Sequence, residues 1–251
     1  FFSKRYPWLA HAITGKHIKR AVMELGGSDA FIVLDDANVK KAAKSAIKSR
    51  FRNSGQSCNA AKRFIVMKSI AKEFEEEMIK ELLKKTMGDP MHTETDLGPL
   101  ANPTCRTHLD SILRDATKKG AVIHYGQEAP KGKGLFFRPA IVTNVTLDMK
   151  LFQDECFGPI APIMRVKNIN EIINVTNSSK YGLGAMIWTK NRKKGLELGQ
   201  ELDVGTVTVN GIVRSDPRLP FGGVKKSGLG RELSEEGIKE FVNVKTIIIG
   251  K

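Results

Sequence analysis

The segment Asn53-Ser54-Gly55-Gln56-Ser57-Cys58-Asn59-Ala60 stands between a helix-like run and a strand-like run. The preceding run opens at Asn38, which can cap a helix. Its apolar residues recur at helical spacing, at Val39, Ala42, Ala43, Ala46, Ile47 and Phe51. The small residues at 53–55 predict the end of that helix, and the apolar run 63–67 predicts a strand. Cys58 is therefore expected on a loop that leads from a helix into a strand.

The same alternation of patterns extends along the rest of the chain. The apolar run 30–34 lies between Asp29 and Asp35 and predicts a buried strand. Further strands are predicted at 121–125, 136–142, 184–189 and 205–210, further helices at 70–83, 103–119, 169–177 and 191–203, and a loop at 150–159. Strands that alternate with helices indicate βαβ units. We expect an α/β fold in which a mainly parallel sheet is flanked by helices on both faces.

The chain has 251 residues and a formal net charge of +14, so it is long enough to bury a sizeable core. A basic balance raises nucleic-acid binding as one hypothesis. The lysines and arginines, however, are interleaved with acidic residues on helix-like segments, and no aromatic stacking motif accompanies them. No apolar run has the length of a membrane span. We therefore expect neither a nucleic-acid nor a membrane partner.

The three cysteines, Cys58, Cys105 and Cys156, are an odd number without CxxC spacing. This usage argues against a disulfide framework and fits a reducing compartment. The first residues also lack the apolar core of a signal peptide, so a cytoplasmic location is predicted. The five histidines show no ligand spacing, and we expect no metal site.

A thiol and a carboxylate stand out as a candidate chemical pair. Glu24 lies in Met23-Glu24-Leu25-Gly26-Gly27, upstream of Cys58. Together they suggest covalent catalysis with Cys58 as nucleophile and Glu24 as general base. The alternatives are a buried, inert thiol and a surface carboxylate at a turn. The two glycines after Glu24 suggest close approach of another group to the backbone.

The segments Glu24-Leu25-Gly26-Gly27 and Gly55-Gln56-Ser57-Cys58 resemble the paired signature of the aldehyde dehydrogenase superfamily. Further blocks similar to those of the family follow in the family's order: Gly88-Asp89-Pro90, Leu97-Gly98-Pro99-Leu100, Glu155-Cys156-Phe157-Gly158-Pro159-Ile160, the segment from Asn177 to Tyr181-Gly182-Leu183-Gly184, and the segment from Pro220-Phe221-Gly222-Gly223 to Arg231-Glu232. The resemblance covers about residues 20–250 and corresponds to about the second half of a usual member.

The resemblance implies a role for each residue of these blocks. Cys58 would attack an aldehyde to give a thiohemiacetal and then a thioester, and Glu24 would activate the water that releases the acid. The cofactor would be NAD or NADP, and the sequence does not choose between them. Glu155 would hold the nicotinamide ribose, Phe157 would pack against the nicotinamide, and Leu25 and Gly26 would approach the cofactor; core packing is the alternative for Phe157. The presence of Glu24 favours hydrolysis over transfer to coenzyme A.

The loop after the last predicted strand of the sheet resembles the branch that oxidises succinate semialdehyde and related short aldehydes. Asn210 would lie near the aldehyde, with a turn residue as the alternative. Arg214 or Arg218 would pair with a substrate carboxylate, which suits a planar guanidinium; a surface role is the alternative for both. Glyceraldehyde and lactaldehyde also remain candidate substrates.

The resemblance also predicts a domain organisation. Residues 1–23 would be the end of a cofactor domain, 24–226 a catalytic domain, and 227–251 a C-terminal helix and oligomerisation strand. The run 241–249 is a β-run that would pair with a neighbouring subunit in a dimer or tetramer, because a long apolar edge needs a cover. The family's phosphate-binding turn would be supplied in cis by a longer product or in trans by another chain.

A hypothesis from a different class stands beside the dehydrogenase. The chain could be a non-redox remnant of the catalytic domain that binds a partner or its own copies. It would keep at most an esterase activity of Cys58, because acyl-enzyme formation on an ester needs no hydride acceptor.

Overall fold

Runs of β-branched and aromatic residues form the strands of the computed structural model, which describes residues 7–130 and 134–250. The strands are β1 (Met23–Glu24), β2 (Asp29–Val33), β3 (Ala61–Met67), β4 (Val122–Tyr125), β5 (Ala140–Thr143), β6 (Ile160–Val166), β7 (Tyr181–Gly182), β8 (Gly184–Trp188), β9 (Thr206–Val209), β10 (Val224–Lys225) and β11 (Gly228–Leu229). The helices are α1 (Pro7–Lys16), α2 (Val39–Phe51), α3 (Ala71–Leu82), α4 (Pro103–Lys118), α5 (Lys150–Gln153), α6 (Ile169–Asn177), α7 (Arg192–Gln200) and α8 (Ser234–Lys239).

Seven of these strands form one sheet in the order β4-β5-β6-β3-β2-β8-β9. Strand β4 pairs antiparallel with β5, and the other neighbours pair in parallel. Two antiparallel ribbons, β1 with β11 and β7 with β10, lie outside this sheet. The expected mainly parallel α/β sheet is confirmed.

The central strand β2 shows why helices cover both faces of the sheet. Every residue of β2 is buried, as expected for a strand inside a parallel sheet. Ala30 and Ile32 belong to a core cluster that also contains residues of α4, α6 and α7. Phe31 and Val33 point to the other face and belong to a cluster with α2 and α3. This alternation follows from the two-residue period of a strand.

Several local predictions agree with the structure, and some differ. Asn38 caps α2 by accepting a hydrogen bond from Lys41 N at 3.0 Å, as predicted. The strand predicted at 136–142 begins only at Ala140, because Pro139 has no N–H to donate to a neighbouring strand. The segment 150–159, predicted as a loop, begins with the short helix α5.

The β-run at 241–249 is predicted to pair with a neighbouring subunit, and the structure is that of a single chain. Within residues 134–250, the segment after α8 is not part of a strand, and its apolar side chains are exposed: Val244 by 90%, Ile248 by 86% and Ile249 by 92%. Its composition favours a strand, but a strand also needs a neighbour that offers backbone hydrogen bonds. Pairing of this segment with a second copy remains a prediction.

Candidate active site

The candidate site forms where four parallel strands begin. Gly27 lies just before β2, Cys58 before β3, Glu155 before β6 and Leu183 before β8. Because β2, β3, β6 and β8 are parallel, their amino ends share one edge of the sheet. The loops that enter these strands therefore bring together residues far apart in sequence. Ligands of open α/β sheets more often bind at the carboxyl ends.

The Cys58 loop takes its shape from a left-handed turn. Asn53, Ser54 and Gly55 have positive φ values of 51°, 53° and 75°, a conformation that ends α2. Ser54 Oγ donates to Gly98 O at 2.8 Å. Gln56 Oε1 accepts a hydrogen bond from Ala101 N at 2.8 Å. The block 97–100 that the sequence singled out therefore fixes the loop that carries the thiol.

Cys58 itself is half-buried, whereas Cys105 and Cys156 are buried. Burial raises the pKa of the Cys58 thiol, the Lys62 ammonium opposes this rise, and the carboxylates of Asp29 and Glu24 add to it. The resting thiol is therefore protonated near neutral pH, and it needs a base to become a nucleophile.

Glu24 has the properties of such a base. Its strand β1 pairs with β11, and its Oε1 is buried without a hydrogen-bond partner among the described residues. Burial and, to a smaller extent, the nearby Glu232 raise the pKa of Glu24 to about 7, against the opposing charge of Arg231. A carboxyl group with this pKa exchanges a proton near neutral pH, as a general base must.

Glu155 connects the Gly27 turn with the Cys58 loop. Its Oε1 accepts a hydrogen bond from Gly27 N at 2.9 Å and lies 3.6 Å from Lys62 Nζ. A Cβ at Gly27 would lie 2.7 Å from Cys58 O, and a Cβ at Gly26 would run into the Glu155 carboxylate. The two glycines therefore permit a close approach of the three segments.

A cavity of about 620 Å³ opens beside Gly26 and Glu155; Cys58 and Glu24 are not among its lining residues. Leu25 also lines it, as do Trp8 of α1 and Tyr181 of β7. Leu25 is held by a backbone hydrogen bond from its N to Ser227 O at 2.9 Å. Three of the four residues predicted to bind a cofactor therefore share one cavity wall. The fourth, Phe157, is half-buried, with its ring centroid 5.9 Å from Lys62 Nζ.

The residues predicted to bind substrate are not brought together. Asn210 follows β9 at the carboxyl end of the sheet, opposite to Cys58, and both ends of its amide bond the backbone of Thr189, at 2.8 and 3.1 Å. The chain then runs back to the amino edge of the sheet, where Gly184 begins β8. A Cβ at Gly184 would lie 3.2 Å from Val213 Cγ2. The exposed Arg214 follows directly at that edge.

Arg218 has a partner of its own. Its guanidinium makes a bidentate pair with Asp216, at 2.9 and 2.6 Å, and this pair is exposed on the Arg218 side. A guanidinium engaged in this way has fewer donors to offer to a substrate. Arg214 is therefore the better placed of the two arginines.

Sequence reasoning missed the buried cations that brace the site. Arg50, on α2, is fully buried and donates to the carbonyls of Ala61 at 2.9 Å, Gly55 at 3.0 Å and Cys156 at 2.9 Å, and also to Gly158. It therefore ties the Cys58 loop to the Glu155 loop. A charged residue at an inward-facing helical position, four residues after Ala46, was the available signal.

Replacement of Arg50 by methionine is expected to destabilise the fold. Several buried carbonyl oxygens would lose their donor, which costs at least about 3 kcal/mol of unfolding free energy. Urea unfolding of Arg50→Met checks this. The control is Lys48→Met, on the exposed side of the same helix; equal unfolding free energies for the two variants would contradict the bracing role.

Within the described ranges 7–130 and 134–250, no helix is long and apolar enough to cross a membrane. In the same part of the chain, no group of three or more His, Cys, Asp or Glu side chains is arranged to hold a metal ion.

The fold and the site together define an α/β protein with a cysteine on a loop at the amino edge of a mainly parallel sheet. Its carboxylate neighbours include Glu24, whose pKa is about 7, and the buried Glu155 lies in an adjoining loop. The profile of the aldehyde dehydrogenase family matches residues 8–247. The chain belongs to the aldehyde dehydrogenase family.

Individual relatives agree with this assignment. An aldehyde dehydrogenase of Paenarthrobacter nicotinovorans is 43% identical over 233 residues, which cover 93% of this chain and 51% of that protein. A succinate-semialdehyde dehydrogenase [NADP(+)] of Mycobacterium leprae is 43% identical over 238 residues, 95% of this chain and 52% of that protein. The chain therefore spans about half the length of the curated relatives it matches.

A solved structure shows the same fold. The succinic semialdehyde dehydrogenase of Streptococcus pyogenes, in complex with NADP+, superposes with a TM-score of 0.94 at 38% identity. The match covers 99% of this chain and 55% of that one.

Proposed function

We propose that this chain is the catalytic portion of an NAD(P)-dependent dehydrogenase that oxidises succinate semialdehyde or a similar short aldehyde to the carboxylic acid. The observation that carries the proposal is the half-buried Cys58 thiol with Glu24, whose pKa is about 7, within electrostatic reach. The relatives named above act on such aldehydes or are aldehyde dehydrogenases by name.

The chain's own residues would carry the covalent steps. The Cys58 thiol loses its proton to Glu24, and the sulfur attacks the aldehyde carbon to form a thiohemiacetal. The backbone N–H of Cys58 donates to the oxyanion that develops. Glu24 then releases the thiol proton to solvent. After oxidation to the thioester, the deprotonated Glu24 takes a proton from water, the hydroxide attacks the thioester carbon, and the acid leaves as the Cys58 sulfur is restored.

The cofactor NAD or NADP, when bound, supplies the acceptor of the hydride. The site has room for such a group, because the cavity of about 620 Å³ has Gly26 on its wall, where a side chain would fill the space next to Glu155. Leu25, Gly26, Glu155 and Phe157 would hold it, with Glu155 kept in place by its bond from Gly27 N.

Arg214 is our proposal for recognition of a substrate carboxylate. It is exposed and follows Val213, which packs beside Gly184 at the edge of the sheet where Cys58 lies. A guanidinium is suited to a planar carboxylate. Asn210 instead serves as a turn residue, since Thr189 occupies its amide.

The experiment that tests the function measures NAD(P)H absorbance with succinate semialdehyde and with butanal, which has the same carbon chain without the carboxylate. We expect oxidation of both, with a lower KM for succinate semialdehyde. Arg214→Gln should raise that KM about tenfold and leave butanal unchanged. The matched control is Arg218→Gln, which removes an exposed arginine that already pairs with Asp216.

A nitrophenyl ester tests the second hypothesis in parallel. The half-exposed thiol can be acylated by an ester without a hydride acceptor. Ester turnover with no NAD(P)H formed from either nucleotide would overturn the dehydrogenase proposal for this chain and support the esterase remnant. If the folded protein shows neither activity, both the dehydrogenase and the esterase hypotheses are overturned.

We also propose that the chain acts as a cytoplasmic homo-oligomer whose segment 241–250 pairs with a second copy. Exposed apolar side chains along this segment support the proposal, since a contiguous apolar edge of this kind marks an interface. The double substitution Val244→Lys and Ile248→Lys is expected to convert a dimer or tetramer into a monomer in light scattering. An unchanged mass would contradict the role of this segment.

A further inference from the structure

Lys62, the second residue of β3, is a charged residue inside the protein. Its side chain has no solvent-exposed surface, which is rare for lysine and requires compensating partners. The sequence gives no reason to single it out, because it lies just before the apolar run 63–67 that predicts a strand. The structure places it directly under the nucleophile loop.

The ammonium group has three oxygen neighbours. Lys62 Nζ donates to Ser57 O at 2.7 Å and to Cys58 O at 2.6 Å. It also lies 3.6 Å from Glu155 Oε1, with the carboxylate itself buried. An ammonium has three donors and no acceptor; two of them bond the carbonyl oxygens, and the Glu155 carboxylate lies at ion-pair distance. One side chain thus joins the backbone of the nucleophile to the carboxylate proposed to hold the cofactor.

Four charged or titratable groups from separate segments act on Lys62. Burial lowers its pKa, whereas Glu155 from the loop before β6, Asp29 from β2 and the Cys58 thiol favour its charged form; Arg50 from α2 opposes it. Two carboxylates and the thiol thus face one ammonium. Lys62 is also the group that acts against the burial of the Cys58 thiol.

We propose that Lys62 is a positioning residue that clamps the Ser57 and Cys58 carbonyls against Glu155 and supplies the positive charge that stabilises the Cys58 thiolate. This role rests on the proposed function only for its use in turnover; the effect on the thiol exists without any substrate. A cation close to a thiol favours the thiolate. Two hydrogen bonds hold the ammonium against the backbone of the residue that carries the thiol.

The test measures the rate at which iodoacetamide alkylates Cys58 as a function of pH. Only the thiolate reacts, and Cys105 and Cys156 are buried. In Lys62→Met, which keeps the length of the side chain and removes the charge, the midpoint of the alkylation profile should rise by about one pH unit or more. Lys62→Arg keeps the charge, so its midpoint should stay close to that of the wild type.

Two controls make the result specific. Lys68→Met removes an exposed lysine just after β3 and should leave the midpoint unchanged, and Cys58→Ala gives the background of labelling. The double variant Lys62→Met with Glu155→Gln removes both members of this ion pair, so that the buried Glu155 carboxylate is not left without the Lys62 ammonium. Its midpoint should rise as well, even if the single variant fails to fold.

An unchanged midpoint in the folded Lys62→Met or double variant would overturn the proposal. So would an equal rise in Lys62→Arg, because packing rather than charge would then set the thiol pKa. Alkylation requires neither aldehyde nor nucleotide. A protein that shows the shift and forms no NAD(P)H would retain the Lys62 inference and lose the proposed function, so the two failures are distinguishable.

Discussion

Replacement of Cys58 by alanine is expected to reduce kcat/KM for aldehyde oxidation by about 1,000-fold or more, because the covalent route is lost with the nucleophile. The same substitution should abolish ester turnover and the fast phase of iodoacetamide labelling, since the two other cysteines are buried. The measurement is the rate of NAD(P)H formation under saturating nucleotide, with mass spectrometry to detect the acyl group on the protein.

The matched control for this variant is Cys105→Ala. Cys105 is 2% exposed and packs among apolar residues of α4 and its neighbours, so its loss should cost some stability and no acylation. An acyl group on the protein after Cys58→Ala would contradict the assignment of the nucleophile. Loss of acylation in Cys105→Ala alone would contradict it as well.

Replacement of Glu24 by glutamine is expected to slow steady-state turnover by about 100-fold or more, the contribution of a positioned general base. A glutamine cannot take a proton from the thiol or from water. Stopped-flow measurement at high pH, where the thiol ionises without help, should still show a burst of NAD(P)H followed by a slow phase. The absence of any difference between Glu24→Gln and the wild type would contradict the role of base.

The pH dependence of the wild type follows from the same group. Burial raises the pKa of Glu24 from its ordinary value to about 7. The base works when deprotonated, so kcat should rise with pH through about 7 and fall as the pH drops below it. Because Glu232 adds to the raised pKa, Glu232→Gln should move the midpoint to lower pH, whereas Glu235→Gln on the exposed side of α8 should not.

Much of the fold was predictable because it depends on local patterns. The buried run 30–34, the Asn38 cap and the turn at 53–55 each have a signal within a few residues. The aldehyde dehydrogenase motifs then placed Cys58 and Glu24 in one site, and their electrostatic interaction in the structure agrees with that placement. Their catalytic roles remain predictions.

The braces of the site were not predictable from such patterns. Arg50 donates a hydrogen bond to Gly158, and Gly27 donates one to Glu155, across more than one hundred residues of sequence. The spacing of hydrophobic residues predicts which side of a helix or strand is buried. It does not predict which polar group that side contacts. Lys62 carried no signal of its burial, since it stands just before the predicted strand at 63–67. Asn210 looked like a site residue because the motif around it matched, while its amide is bonded to the backbone of Thr189.

The apolar segment after α8 is exposed in the single chain. We therefore expect the yield of folded protein to depend on protein concentration. The residues of this segment combine high β-propensity with little charge at Thr246-Ile247-Ile248-Ile249, the composition of segments that stack in cross-β aggregates. Under the proposed pairing of segment 241–249 with a second copy, a newly made chain has two competing fates: that pairing, or association with another exposed strand edge. Chaperone supply, synthesis rate and temperature should decide the yield of soluble protein more strongly than the stability of the sheet does.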